Sequence, residues 1–287
     1  MKFGLMFANA GPFSEPATAV GLAQLAEELG FESLWTVEHV VVPSGYQSAY
    51  PYSPTGKMPG GEDVPIPDPL IWLAYVAAAT TRIRLATGIL ILPQRNPVIL
   101  AKELATLDRL SGGRVELGVG VGWLEEEFDA LGVPFAARGR RTDEYIDVLR
   151  RMWREPETAY EGEFTNFAPL KSYPKPATSD GPPIHIGGHT AAAARRAGRI
   201  GDGFFPGSGT YDDLLALLDT MRAAAKDAGR DPDAIELTSG GGLDLDTVRR
   251  YADAGVSRFI VPPLGFDLDT LRTQLGNFSE NVIAHAT

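Results

Sequence analysis

The fold of this chain is decided by the stretch 82-RIRLATGILILPQRNPVILAKELATLDRLSGGRVELGVGVGW-123. It begins with the apolar run IRLATGILIL, which is hydrophobic on both faces of a strand. The segment VILAKELATLDRL then has apolar residues at helical spacing and ends at Ser111-Gly112-Gly113, before a second buried strand, VELGVGVG. A strand, a crossover helix and another buried strand predict a βαβ unit with a parallel strand pair.

The same alternation of buried strands and helices runs through the whole chain. Besides the two strands of the central unit, the pattern predicts strands at 2–8, 33–39, 183–188, 203–207, 235–241 and 258–262. Eight strands alternating with helices over 287 residues, with no linker of disordered composition, predict one domain, residues 1–287, folded as a (β/α)8 barrel. Active sites of such barrels lie at the C-terminal ends of the strands.

Two segments interrupt the alternation. Residues 40–67 are rich in Pro, Gly and Tyr and have little periodicity. They predict a long aromatic loop, and a loop of this length inside a compact domain is usually functional. Residues 155–180 are a second insertion, rich in Pro and aromatic residues. Because the insertions follow strands two and four, we expect both on the face of the active site.

Composition excludes several classes of function. The formal net charge of −11 argues against nucleic acid or an anionic membrane as a partner. The chain has no cysteine, and its four histidines form no metal-binding motif, so neither a thiolate site nor another metal site is predicted. There is no signal-peptide pattern, and no apolar run approaches the ~20 residues of a membrane span. We therefore expect a soluble, cytoplasmic protein that binds a small molecule.

The glycine-rich run GVGVG, residues 118–122, does not match a dinucleotide-binding fingerprint. Its spacing is G-x-G-x-G rather than G-x-G-x-x-G, and three glutamates follow that would repel a pyrophosphate: Glu125, Glu126 and Glu127. Acidic residues in a first helical turn are simply favourable for the helix dipole. The glycines leave two alternatives, close approach of a planar ligand or a packing role.

The turn Gly187-Gly188-His189-Thr190 is better placed to bind phosphate. It lies where the fifth strand meets a helix N-terminus, so free backbone N–H groups and the helix dipole converge on an anion. An ordinary strand-to-helix turn with Thr190 as the N-cap is the alternative.

Glu38 and His39 end the second strand on the predicted catalytic face. Histidine is suited to proton transfer near neutral pH, and its position raises the probability of a catalytic role. Glu38 either orients the ring of His39 or faces the other way, because strand neighbours alternate. His185 is either directed into the barrel or a satisfied core histidine.

Several segments together resemble a known family. They are ELGFESLWTVEHVVVP, residues 68–128 around the central βαβ unit, ALGVPFAARGRRTDEYIDVLRRMW and IHIGGHTAAAARRAGRIGDGF. Over nearly its whole length the chain resembles the bacterial luciferase-like monooxygenase superfamily, and within it the actinobacterial oxidoreductases that use the deazaflavin coenzyme F420. This resemblance implies a luciferase-like barrel and a homodimer.

The resemblance also implies a set of cofactor-binding residues. A non-prolyl cis peptide bond at Gly88-Ile89 would back the tricyclic ring, and His39 would lie beside the reactive part of that ring. Gly187, Gly188, His189 and Thr190 would bind the phosphate. The remaining positions matched to the ring, the tail or the adjoining loop are Asn96, Gly120, Gly122 and Trp123.

The function implied is hydride transfer between coenzyme F420 and a small organic substrate, with His39 and Glu38 as the candidate catalytic residues. An FMN-dependent monooxygenase and a non-catalytic deazaflavin-binding protein are the alternatives. Trp123 stands where sugar-phosphate dehydrogenases of the family have a glutamate implicated as a proton donor. This departure argues against a sugar-phosphate substrate and against a proton donor at that position. The direction of hydride transfer stays open.

Overall fold

A closed barrel of eight parallel strands forms the centre of the molecule, which a computed structural model describes for residues 1–207 and 209–286. The strands are β1 (Lys2–Leu5), β2 (Ser33–Thr36), β3 (Arg84–Thr87), β4 (Leu90–Ile91), β5 (Val115–Gly120), β6 (Thr158–Glu161), β7 (Asn166–Leu170), β8 (Ile184–Gly187), β9 (Gly203–Phe205), β10 (Glu236–Ser239) and β11 (Arg258–Val261). The helices are α1 (Pro16–Glu28), α2 (Pro69–Ala77), α3 (Pro97–Ser111), α4 (Glu125–Ala130), α5 (Arg138–Arg154), α6 (Ala191–Ile200), α7 (Tyr211–Asp227), α8 (Leu245–Asp253) and α9 (Leu268–Asn281).

Parallel pairing closes the barrel between its first and last strands. β1 pairs with β11, with Leu5 opposite Val261, and the order continues through β10, β9 and β8 to β5. β3 and β4 are two parts of the third barrel strand, and both pair with β5. The peptide bond between these two parts, Gly88-Ile89, is cis, as the resemblance predicts. The predicted (β/α)8 barrel is confirmed.

Local sequence explains where the helices around the barrel begin. Asp68 caps α2 by accepting hydrogen bonds from Leu70 N and Ile71 N, and Pro69 occupies the first helical position. The strands of the central unit read as continuous apolar runs because every residue of β5 is buried. Among the described residues, no helix is long and apolar enough to cross a membrane.

The second insertion lies elsewhere than predicted. Residues 155–180 contain the antiparallel hairpin β6–β7, which packs along the outside of α5, and its tip pairs Glu163 with Arg140. The segment ends beside the last turn of α3, where Ala177 N donates to Asp108 Oδ2 over 2.8 Å. Since α5 leads back to the N-terminal end of the barrel, this insertion belongs to the outer flank. The prediction that it lies on the face of the active site is wrong.

The N-terminal half of the barrel interior holds a buried cluster of charges. Arg258 is fully buried, and its guanidinium lies 3.0 Å from Glu32 Oε2 and 2.9 Å from Glu116 Oε2. It also pairs with Glu236, and His185 Nε2 lies 3.1 Å from Glu116 Oε2. Glu116, His185 and Glu236 present ligand-type atoms within 4.8 Å of one another. The Arg258 guanidinium already provides the positive charge that Glu116 and Glu236 would otherwise offer to a metal ion. We therefore interpret the cluster as a network of ion pairs inside the barrel.

Candidate active site

His39 lies at the C-terminal mouth of the barrel and is held by a buried glutamate. The chain leaves β2 at Thr36, and three residues later the His39 Nδ1 atom lies 3.0 Å from Glu127 Oε2. The other oxygen of Glu127 accepts hydrogen bonds from Val40 N at 2.7 Å and Val41 N at 3.2 Å. The Glu127 side chain is 0% exposed and that of His39 is 8% exposed. Because a carboxylate oxygen accepts, the hydrogen bond is donated by Nδ1, and Nε2 has no hydrogen-bond partner among the described residues.

Glu38 points away from His39 and belongs to a second ion cluster. Its carboxylate accepts from Arg95 Nε at 2.8 Å and from Ile91 N, and Arg95 also binds Asp68, the cap of α2. Burial raises the pKa of Glu38, and the Arg95 guanidinium is the main opposing influence. Both Glu38 oxygens are therefore engaged in joining β2 to the loop after β4 and to α2. The two predicted catalytic residues therefore have different partners: His39 contacts Glu127, and Glu38 contacts Arg95.

A chain of aromatic side chains crosses the mouth from His39 to His189. His39 meets Trp123 edge to face at 5.7 Å between ring centroids, and Trp123 meets Tyr50 at 5.2 Å. Tyr50 contacts Tyr52, whose ring lies 5.1 Å from that of His189. The two tyrosines come from the aromatic loop, residues 40–67, so this loop does cover the catalytic face.

The aromatic loop is tied down by the first turn of α4. Glu126 accepts hydrogen bonds from Gln47 N at 2.6 Å and from the Ser48 hydroxyl at 2.6 Å. The hydrogen bond from the Ser48 hydroxyl is the largest influence on the pKa of Glu126 and helps to lower it to about 2, so this carboxylate is ionised at neutral pH. Burial raises the pKa of Tyr50 and Tyr52, and their hydroxyls stay protonated. Besides its place at the helix dipole, the acidic run therefore anchors the loop.

The glycines at the mouth make room for protein side chains. A Cβ atom added to Gly120 would lie 2.4 Å from Ile89 Cδ1, and one added to Gly187 would lie 2.5 Å from Ile89 Cγ2. Gly122 has φ +78°, and an added Cβ would meet the Phe128 ring at 2.7 Å. The packing alternative therefore accounts for these glycines. They let the Ile89 side chain lie between β5 and β8, where it forms the floor of the mouth.

The turn from β8 to α6 has the features of an anion site. Gly188 adopts φ +124°, Thr190 caps α6 through a hydrogen bond from Ala193 N at 3.2 Å, and α6 is ten residues long. His189 Nδ1 is buried and has no hydrogen-bond partner among the described residues. A helix N-terminus with an unsatisfied nitrogen beside it fits the phosphate of a flavin-type cofactor.

Asn96 is not brought into this constellation. It is exposed, and its side-chain oxygen caps α3 by accepting from Val98 N at 2.9 Å and Ile99 N at 3.2 Å. The implied coenzyme contact therefore has no geometric support.

The sequence did not single out three residues of the site. They are Glu127, which is the buried partner of His39, and the aromatic residues Tyr50 and Tyr52. Nothing in the sequence shows that the third of three successive glutamates is the buried one, whereas the tyrosines of the loop were a visible signal.

Comparison with known proteins identifies the class of barrel proteins to which this chain belongs. The family model of the luciferase-like monooxygenases matches residues 1–263. The chain belongs to that family.

Individual relatives differ in cofactor. The chain is 35% identical to an uncharacterized protein of Mycobacterium tuberculosis, over 98% of this chain and 99% of that one. It is 32% identical to an F420-dependent glucose-6-phosphate dehydrogenase of Kineococcus radiotolerans, covering 78% of this chain and 62% of the relative. It is also 32% identical to an FMNH2-dependent dimethylsulfone monooxygenase of Pseudomonas putida, covering 71% and 52%.

A solved structure agrees over the full length. The monooxygenase RslO1 of Streptomyces bottropensis superimposes with a TM-score of 0.77 at 26% identity, and the match covers 100% of each chain. The family thus contains both F420-dependent and FMN-dependent enzymes.

Proposed function

We propose that this protein is a coenzyme F420-dependent oxidoreductase that transfers a hydride between the deazaflavin and a small organic substrate. The observation that carries the proposal is the His39–Glu127 pair at the barrel mouth, joined by an aromatic chain to the anion-binding turn at His189. One end of this arrangement suits proton transfer and the other suits a phosphate. The resemblance to F420-using oxidoreductases favours the deazaflavin.

In this proposal His39 moves the proton that accompanies hydride transfer. Glu127 holds Nδ1 and compensates the positive charge of a protonated ring, while Nε2 exchanges a proton with a substrate oxygen. Buried carboxylate and aromatic neighbours exclude water from the ring of His39. Glu38 supports the position of β2 through Arg95 rather than acting on substrate.

The cofactor would be held at both ends of the mouth. Gly188, His189 and Thr190 would bind its phosphate, and Ile89, with Gly88 behind it, would lie under its ring. When bound, the deazaflavin supplies or accepts the hydride at its central ring carbon. Trp123 and Tyr50 would form the lateral wall of the ring site.

A parallel binding titration tests the cofactor assignment. We expect oxidised F420 to bind at micromolar concentration and at least about tenfold more tightly than FMN, measured by fluorescence quenching. His189→Ala should weaken F420 binding by roughly tenfold, because the phosphate loses one hydrogen-bond donor. His285→Ala, a change of the same kind at an exposed C-terminal histidine, should leave the affinity unchanged. Micromolar binding of FMN alone would replace F420 in the proposal.

The FMN-dependent relative supports a second candidate, a monooxygenase that uses reduced FMN and oxygen. Oxygen uptake during turnover separates the two, because deazaflavins react poorly with oxygen. A non-catalytic coenzyme-binding protein is the third candidate. The enclosure of His39 by Glu127 and the aromatic loop favours an enzyme over a carrier.

We further propose that the enzyme is a cytoplasmic homodimer. Two neighbouring helices expose large apolar side chains at the surface: Ile71 and Tyr75 on α2, and Ile99 and Leu110 on α3. Apolar surface on adjacent helices is typical of an obligate subunit interface. The double change Ile71→Glu and Ile99→Glu should therefore yield a folded monomer in sedimentation experiments, whereas Phe266→Glu, another exposed apolar position, should remain dimeric. An unchanged mass for the double variant would exclude this interface.

A further inference from the structure

A cavity of about 270 Å³ opens beside the anion-binding turn, at the ends of β1, β9, β10 and β11. Its volume approaches the lower end of small-molecule sites, roughly 300 Å³. The wall is mainly apolar and includes Met6, Phe7, Phe205, Leu214, Ile260 and Pro262.

The cavity wall carries no Asp, Glu, His, Lys or Arg side chain among the described residues. Its polar side chains are the hydroxyls of Thr210, Ser239 and Tyr251. The Thr210 hydroxyl is already hydrogen-bonded to Asp213 in the capping box of α7. An ionised ligand group in this cavity would lose its hydration without gaining a counter-ion, which is strongly unfavourable. A neutral ligand can use the hydroxyls as hydrogen-bond partners and bury its apolar part.

The side chain of Met6 lies between the cavity and the residues assigned to the cofactor ring. Met6 packs with Phe205 and Ile260 on the cavity side. On its other side, a Cβ added to Gly88 would lie 3.2 Å from Met6 Sδ. The aromatic loop reaches the same rim, because a Cβ added to Gly207 would lie 2.9 Å from Tyr52 Cε1. One molecule in the cavity would therefore lie beside the ring site and beneath the aromatic loop.

We propose that this cavity is the substrate site and that the substrate is an uncharged, mainly apolar organic molecule with a neutral hydrogen-bonding group. This inference rests on the proposed oxidoreductase function. The two flanks of the mouth are chemically distinct. The flank at His189 suits an anion and is assigned to the cofactor phosphate, whereas the flank at Phe7 offers a charged group no partner. A phosphorylated or carboxylated substrate is disfavoured for that physical reason.

A matched ligand pair tests the chemistry of the cavity. Methyl 4-oxocyclohexanecarboxylate and the free acid share a ring and a ketone and differ in charge, and ligand-observed NMR gives their affinities for the full-length protein. We expect the ester to bind at least about tenfold more tightly than the acid. Phe7→Lys should reduce this preference at least about tenfold, because the new ammonium is a counter-ion for the acid. Phe7→Leu should preserve it.

Pro262→Lys, with Pro262→Leu as its control, repeats the test from another exposed wall position if Phe7→Lys does not fold. Equal affinities in the native protein, a preference for the acid, or no binding of either compound would overturn the inference. A preference unaffected by the lysine variants would also overturn it, since binding would then occur elsewhere. F420 titration of the same variants should be unchanged. If the native protein does not bind F420 but still prefers the ester, the cofactor assignment is refuted and the inference about the cavity is not.

Discussion

Replacing His39 by alanine is expected to lower turnover by roughly 10²- to 10⁴-fold, the range associated with losing a general acid or base. His39 Nδ1 is held by the fully buried Glu127, so the ring has one orientation and one free nitrogen. Steady-state kinetics with F420 and an accepted substrate measure the change. The affinity for F420 should stay within about threefold, because the phosphate is assigned to the turn at His189.

Two controls separate proton transfer from structural damage. Added imidazole should partly restore the turnover of His39→Ala, because it can replace the missing base, whereas a purely structural loss is not restored. His285→Ala, at an exposed histidine far along the chain, should keep native rates. Native turnover in His39→Ala, or a loss that imidazole leaves untouched, would remove His39 from the catalytic role.

The architecture was predictable from the sequence because the strands and helices of the barrel have local sequence signals. The buried run before Gly88 and the helix that ends at Gly112 give the βαβ unit without knowledge of any distant contact. Asp68 followed by Pro69 marks a helix start that the structure contains. The hairpin β6–β7 was missed. Its strands are short and largely exposed on the flank of α5, and β7 contains Pro169, so they lack the buried alternation that identifies a strand.

The candidate site was predictable only in part. His39 was identified because a strand end is a local feature, but its partner Glu127 lies 88 residues further along the chain. Three successive glutamates give no indication of which one is buried, since that depends on how α4 packs against the loop after β2. For Glu38, the sequence identified the residue but not the direction of its side chain. Strand alternation left its direction open, and the ion pair with Arg95 forms across the fold.

The glycines at the mouth show why composition alone misassigns a motif. Gly120 and Gly187 lie near the proposed cofactor, yet the space beside each is occupied by Ile89. A bound ligand and a neighbouring side chain both require that the position has no Cβ atom, so the sequence cannot distinguish the two and the three-dimensional structure can. The ring site is therefore better defined by the position of Ile89 than by the glycine spacing.

Changing Arg258 to methionine is expected to produce the largest loss of stability. The guanidinium is fully buried and pairs with Glu32, Glu116 and Glu236, so its removal takes a charge partner from all three. The buried Glu116 carboxylate would then keep only the partly exposed Arg84 and His185 as partners among the described residues. Breaking a buried pair in this way costs about 3–5 kcal/mol of unfolding free energy, measurable by urea denaturation. Arg272→Met breaks an exposed pair with Glu28 and should change stability by less than about 1 kcal/mol.

The pH dependence of stability tests the same cluster independently. Burial disfavours ionised Glu116, but contact with His185 and the charge of Arg258 outweigh it and lower its pKa from 4.5 to about 2. Because the folded-state pKa is the lower one, this stabilisation is complete above pH 4.5 and is lost as pH falls toward 2. The loss amounts to about 3 kcal/mol for the native protein. Arg258→Met should show a flatter decline over that window. Equal slopes, or an unfolding free energy within about 1 kcal/mol of native at neutral pH, would show that Arg258 does not neutralise the barrel carboxylates.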